Sequence, residues 1–189
     1  RKRRSTSVCG RATSGWPLAS VGADKFTGQA NLDLRTVDPQ IGVDDHASAA
    51  AAAAVGTFYA PVTNGHLTFS ANPAFSYRWY DYCWHASSHT DGWIGLLACR
   101  YDLGGGFDST VNDQRINLWS DDASWYGTSD RRSNSGFPLT AQFYVDTGHW
   151  YALWVWCGVS VSGGGSGFMW WSSALGSLSV TVPSMTWKL

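Results

Sequence analysis

Two stretches near the C-terminus constrain the fold more than anything else in the chain. Leu139, Ala141, Phe143 and Val145 alternate with Thr140, Gln142 and Tyr144. Soon after, Tyr151, Leu153, Val155, Cys157, Val159 and Val161 alternate with Trp150, Ala152, Trp154 and Trp156. A period of two puts each set on one side of an extended strand, whereas a helix would scatter it around its circumference. The same rhythm marks 31–35, where Leu32 and Leu34 share a side, and 75–84, where Phe75, Tyr77, Trp79, Asp81 and Cys83 share one. Residues 93–101, 115–119 and 178–182 read as further strands. The alanine run 49–54 leads into Val55–Tyr59; 51–60 is read as strand, and 46–50 stays open between helix and strand.

Composition closes off the helical alternative. The chain contains no glutamate, and its only lysines are Lys2, Lys25 and Lys188, so common helix formers are missing. Twelve tryptophans and 15% aromatic residues exclude a disordered chain. The expectation is one all-β domain, a single antiparallel β-sandwich of jelly-roll type over 30–189 with about eight or nine strands. An irregular, basic-tipped arm over 1–29 precedes it. The polar stretch 120–137 reads as a long exposed loop of the kind that carries binding.

The turn Asp146-Thr147-Gly148 between the two clearest strands sets an expected hairpin. A two-residue loop would bury the tryptophans and expose Leu153 and Val155. A three-residue loop, with Gly148 left-handed in a G1 bulge, pairs Phe143 with Tyr151 and Ala141 with Leu153. The second register keeps the apolar residues on one side and is preferred. It leaves Trp150, Trp154 and Trp156 in a row on the other side, with Tyr144 and Gln142 beside them. Such a row is either roofed by another layer or offers flat rings to a ligand; sugar rings, with an apolar face and hydroxyl edges, suit it.

Four cysteines, none in a CxxC pair, suit two disulfides in an extracellular protein. Cys83 and Cys99 flank the turn signal Asp91-Gly92 and form the expected pair, which leaves Cys9 with Cys157. Asp102, Asp108, Asn112 and Asp113 surround a glycine-rich loop and could ligate calcium through oxygen; no cofactor is required. His85, His89 and Asp91 have a spacing that zinc can use. Asp81 stands among aromatic side chains, where it would serve as a general acid or pair with Arg78 or Arg100. No GxSxG, Walker or GxGxxG motif occurs, and without glutamate the HExxH proteases are excluded.

Net charge is −1, so no global field attracts nucleic acid; only Arg1, Lys2, Arg3 and Arg4 could touch phosphate, weakly. No apolar stretch is long enough for a membrane span. The sequence therefore favours an extracellular, non-catalytic, lectin-like binding module with a carbohydrate or glycoconjugate ligand. A self-assembling structural subunit of a capsid or filament is the alternative, and an Asp-dependent hydrolase comes third.

Overall fold

The computed structural model describes residues 4–13, 17–24, 27–36, 45–84, 86–123, 127–165 and 171–189. In chain order these form β1 (Arg4–Thr13), β2 (Pro17–Asp24), β3 (Gln29–Thr36), β4 (Asp45–Tyr59), β5 (Gly65–Ala71), β6 (Ala74–Trp84) and β7 (Ser87–Tyr101). They continue with β8 (Phe107–Ala123), β9 (Thr128–Asn134), β10 (Leu139–Val145), β11 (Trp150–Gly165), β12 (Trp171–Thr181) and β13 (Met185–Lys188). No helix occurs among the described residues, as the missing helix formers require.

The strands make three sheets, in which every pairing is antiparallel. A first sheet runs β1-β4-β11-β7-β8, a facing sheet runs β2-β3-β12-β6-β9, and a small third sheet runs β10-β5-β13. In the first two, β4 and β11 lie against β3 and β12. One apolar core joins all three. Leu32 and Leu34 of β3 meet the small residues Ala49, Ala51 and Ala53 of β4, and β11 contributes Tyr151, Leu153, Val155, Val159 and Val161. Leu67 and Phe69 of β5 and Leu139 and Phe143 of β10 complete it. Alternating burial along β3 and β10 shows the period-two pattern at work.

Several expectations are corrected. The strand count is higher than eight or nine, partly because residues 4–13 and 17–24, expected as an irregular arm, pair with β4 and β3. The alanine run is strand from Asp45 onward, since its ladder to β11 outweighs alanine's helical preference. Within 120–137, β8 continues to Ala123 and β9 occupies 128–134; residues 124–126 lie outside the described set.

The expected hairpin is absent. β10 pairs with β5, and β11 pairs with β4 and β7, so the turn at 146–149 carries the chain from one sheet to another. Asp146 builds that corner. Its Oδ1 accepts from the Gly148 N–H at 2.9 Å, and its Oδ2 accepts from the Tyr151 hydroxyl at 3.2 Å. Positive φ falls at Gly28 and Gly105, not at Gly148, so no G1 bulge forms. The facing of both strands is nonetheless as read, with Leu139, Ala141, Phe143, Val145, Tyr151, Leu153 and Val155 all buried.

The expected disulfides are absent too. Cys83, Cys99 and Cys157 are free, buried thiols, and the Cys9 side chain lies outside the described set. Cys83 sits on β6 in the facing sheet, opposite Ser172, while Cys99 sits on β7 in the first sheet. The turn signal at Asp91-Gly92 lies inside β7 and separates no strands. Full burial pushes the Cys157 thiol up to about 12.

Tryptophan and glycine are matched across the ladders. Trp154 lies opposite Gly56, Trp156 opposite Gly95, Trp93 opposite Gly158, Trp119 opposite Gly92 and Trp79 opposite Gly176. At Gly92 an added Cβ would fall 2.0 Å from the Trp119 ring, whereas at Gly22 it would meet nothing within 4 Å. Gly92→Ala should therefore cost about 1–3 kcal/mol or more by overpacking. Gly22→Ala should stay within about 0.5 kcal/mol of wild type. Denaturant melts of the two variants compare them directly.

Candidate functional site

The outer face of the first sheet, turned away from the core, carries the candidate site. β11 sends Trp150, Ala152, Trp154 and Trp156 outward, β4 contributes Ala52, Ala54 and Phe58, and β7 contributes Leu97, Cys99 and Tyr101. Alanine and glycine on β4 leave the tryptophans room to lie down. A Cβ on Gly56 would fall 2.6 Å from the Trp154 ring. Trp154 is accordingly buried, at 8% exposure, by neighbours on its own sheet. Phe58 meets it edge-on with centroids 6.2 Å apart, and Phe58 meets Tyr101 edge-on at 6.3 Å.

Trp156 is covered differently. The Arg115 guanidinium lies 4.3 Å from its centroid and 4.9 Å from that of Trp93, inside an aromatic corner whose rings are 4.4 Å apart. Asp113 holds the same guanidinium through Nε at 3.2 Å and Nη2 at 3.1 Å. The row is therefore not three open rings. Exposure collects at the Trp150 end, where Trp150 is 43%, Phe58 46%, Phe107 61% and Leu103 68% exposed.

Two hollows mark this face. One of about 250 Å³ is lined by Ala52, Ala54, Leu97, Cys99, Trp154 and Trp156, and a wider one of about 460 Å³ by Phe58, Leu103, Gly104, Gly105 and Trp150; Tyr101 borders both. Register shifts between β7 and β8 at Ala98/Cys99 and Arg100/Tyr101 bend the ladder beside the wider hollow. The turn below it is set by Asp102, whose Oδ1 accepts from the Gly106 N–H at 2.8 Å, and by left-handed Gly105. At the rim Arg100 donates to Asp108 at 2.5 Å and stands 4.0 Å from Asp146. The hydrogen bond from His149 at 2.6 Å holds the Asp146 carboxyl below the usual range, and burial pushes the Tyr101 hydroxyl up.

The other sequence candidates scatter. Tyr144 and Gln142 sit on β10 in the small sheet, with the Tyr144 ring against His66 at 5.7 Å, so they do not flank the tryptophans. Asp102, Asp108, Asn112 and Asp113 do not converge. Asp102 caps the turn, Asp108 pairs with Arg100, Asn112 donates to the Leu96 carbonyl at 2.8 Å, and Asp113 holds Arg115. Most of them belong to strand β8 instead of a loop.

His89 bonds Asp122 through Nδ1 at 2.7 Å and stands 4.0 Å from Asp91, beside a hollow of about 200 Å³ lined by Ser48, Ser87, Ser88, Ser162 and Gly163. His85 lies outside the described set. Among the described residues no group of three or more His, Cys or Asp is placed to hold a metal ion. Asp81 is buried without an Arg78 or Arg100 ion pair.

Phe58, Tyr101, Leu103, Phe107 and Arg115 were not singled out from the sequence. The available signal was parity: Leu97, Cys99 and Tyr101 alternate along β7 as the tryptophans do along β11. No family model, curated protein or solved structure matches the chain.

Burial of Trp154 gives a direct check. Trp154→Ala should destabilise by about 3–5 kcal/mol, comparable with about 2–5 kcal/mol for Leu153→Ala in the core. Paired denaturant melts decide it; a Trp154→Ala melt close to wild type would mean that the ring is an open platform after all.

Proposed function

We propose that the chain is a non-catalytic binding module that holds a carbohydrate or glycoconjugate in the hollow at the Trp150 end of the first sheet. The observation that carries this reading is the grouping of Trp150, Phe58 and Tyr101 around about 460 Å³ of open space. Exposed aromatic surface of this kind marks an interaction site. Ring faces match the apolar side of a pyranose, and the nearby Asp102, Asp108 and Arg100 offer partners to hydroxyl edges. Trp154 and Trp156 then support the site and do not form it. We further propose a jelly-roll architecture. The pairing orders β3-β12-β6-β9 and β4-β11-β7-β8 within the two larger sheets support this, since eight strands wound as two Greek keys would pair in that order, a fold used by lectins and by shell proteins. An extracellular setting belongs to this proposal through the ligand class; the free cysteines lend it no support.

A structural subunit is the second reading. Leu103 and Phe107 are exposed apolar side chains, and a contact between copies would cover them.

A glycan array followed by titration separates the two. Wild type should bind, and Trp150→Ala and Tyr101→Ala should weaken binding tenfold or more, about 1.4 kcal/mol, as hot-spot rings do. Trp150→Ala should also leave thermal stability near wild type because its ring is half open. A blank array together with concentration-dependent assembly that Trp150→Ala abolishes would transfer the hollow to self-association.

A further inference from the structure

The outer face of the facing sheet carries a patch that the carbohydrate reading leaves unused. β6 turns Ser76, Arg78, Tyr80, Tyr82 and Trp84 outward, and Tyr77, Asp81 and Cys83 between them are buried. The ladders add neighbours on the same face. From β9, Arg131 stands opposite Arg78 and Ser129 opposite Tyr80. From β12, Ser177 stands opposite Arg78 and Leu175 opposite Tyr80, and beyond them β3 brings Asp33 and Arg35. All three arginines are exposed.

Two like charges directly opposite each other in a ladder repel and weaken it, and Arg78 and Arg131 are such a pair. Among the described residues neither forms an ion pair, nor does Arg35. The acids nearby do not compensate. Asp130, beside Arg131 on β9, is held by Arg132 at 2.9 Å. Asp33 is separated from Arg78 by the whole width of β12. Flat rings lie next to this charge. The rings of Tyr80 and Tyr82 are parallel to within 3°, with centroids 6.5 Å apart. That is the two-residue step of a strand. Tyr80 and Trp84 are 41% and 40% exposed. Gly127, ahead of β9, adds no side chain beside them; a Cβ there would fall 3.2 Å from both the Tyr80 hydroxyl and the Tyr82 ring.

We propose that this face binds a single strand of nucleic acid, with bases laid against Tyr80 and Tyr82 and phosphates held by Arg78 and Arg131. Proteins that bind single strands join a cationic track to aromatic rings on which successive bases stack. Here both parts lie on one face of one strand. Arg78 is a single two-residue step from Tyr80, about 6.6–6.8 Å along β6, a span that the sugar between a base and its phosphate bridges. The planar guanidinium fork matches phosphate oxygens. A phosphate between Arg78 and Arg131 turns their repulsion into attraction. A duplex keeps its bases stacked on one another and leaves the tyrosines idle. The net charge of −1 supplies no global attraction, so the contact is local and salt-sensitive. The patch lies on the opposite sheet from Trp150 and does not depend on what binds there.

Fluorescence anisotropy of a labelled oligothymidine of about twelve nucleotides, titrated with the full chain, tests this. Wild type should bind saturably at about 50 mM salt and weaken as salt rises. Arg131→Gln should bind more weakly, with a log–log salt slope shallower by about 0.7. Tyr80→Ala should weaken binding about fivefold or more and leave the slope unchanged, because the ring carries no charge. An abasic strand of the same length and charge should bind weakly and should not distinguish Tyr80→Ala from wild type. The basic terminus is controlled by Arg1→Ser, Lys2→Ser, Arg3→Ser and Arg4→Ser together, which should keep the Tyr80 effect. Thermal melts of Arg131→Gln and Tyr80→Ala near wild type would show that the losses are local. The proposal is overturned by a wild type that does not bind at low salt, or by an abasic strand that binds as tightly as the thymidine strand. Binding that survives both single variants, or that vanishes with the terminal change alone, overturns it too. Heparin binding with the same dependence on Tyr80 would give the face to a sulfated glycan instead.

Discussion

Tryptophan laid across glycine is the contact on which the architecture rests. An indole can lie flat on a ladder whose strands are under 5 Å apart where the residue opposite has no side chain. At Gly56 and Gly158 the rings of Trp154 and Trp93 cover the outer face of the first sheet, and at Gly92 the ring of Trp119 does the same inside the core. Glycine in a strand normally weakens it through backbone entropy and lost packing. A ring placed over it restores the packing and shields the local hydrogen bonds. The first sheet can therefore be apolar on both sides without a second roof, and β11 can carry aliphatic residues inward and tryptophans outward.

That arrangement governs what kind of site the molecule can offer. The interior is filled by leucine and valine from β3, β11 and β12 against alanine from β4. The two aromatic hollows lie on the outside. Where Trp–Gly pairing holds, rings lie flat and are used up by the sheet, as for Trp154, or are capped by Arg115, as for Trp156. Trp150 faces Tyr101 across the ladder to β7, at the level where the bulged strands diverge. Two bulky residues cannot both lie flat there, so both stand out around open space. The site arises where the packing rule lapses.

The strand content and the facing of the strands were legible because period two is local: Leu153 and Trp154 must point opposite ways whatever the partner strand. The partner itself was not legible. A short Asp-Thr-Gly turn between two alternating stretches satisfies a hairpin and a sheet-to-sheet corner equally well. What decides is the set of bonds from Asp146 to Gly148, His149 and Tyr151, together with Asn64, which accepts from the Thr147 N–H across 83 residues of sequence. The same non-local choice separated Tyr144 from Trp150 and Cys83 from Cys99. In the site, tryptophan drew attention by its rarity. Phe58 and Tyr101 gave only a parity signal, which acquires meaning once β4 and β7 are known to flank β11.

The aromatic hollow and the hollow beside His89 lie at opposite ends of β7, one beside Tyr101 and the other beside Ser88. Proximity in sequence element is not coupling. A signal from one end to the other needs an element with two arrangements that both ends can bias. Between them β7 is zipped to β11 residue for residue from Ser87 to Tyr101, with no shift of register. A slip by one residue would turn Leu96 and Ile94 out of the core and Trp93 into it, so no second register competes. On its other side β7 meets β8, whose ladder is interrupted three times. The interruption nearest Ala123 is at Gly92/Trp93, where the Trp119 ring lies over Gly92 and its indole N–H donates to the Thr90 hydroxyl at 3.2 Å. The Trp–Gly contact that frees the outer face from needing a roof thus also ties β8 to β7 between the two ends, and the unbroken register with β11 gives neither end a second arrangement to pass to the other.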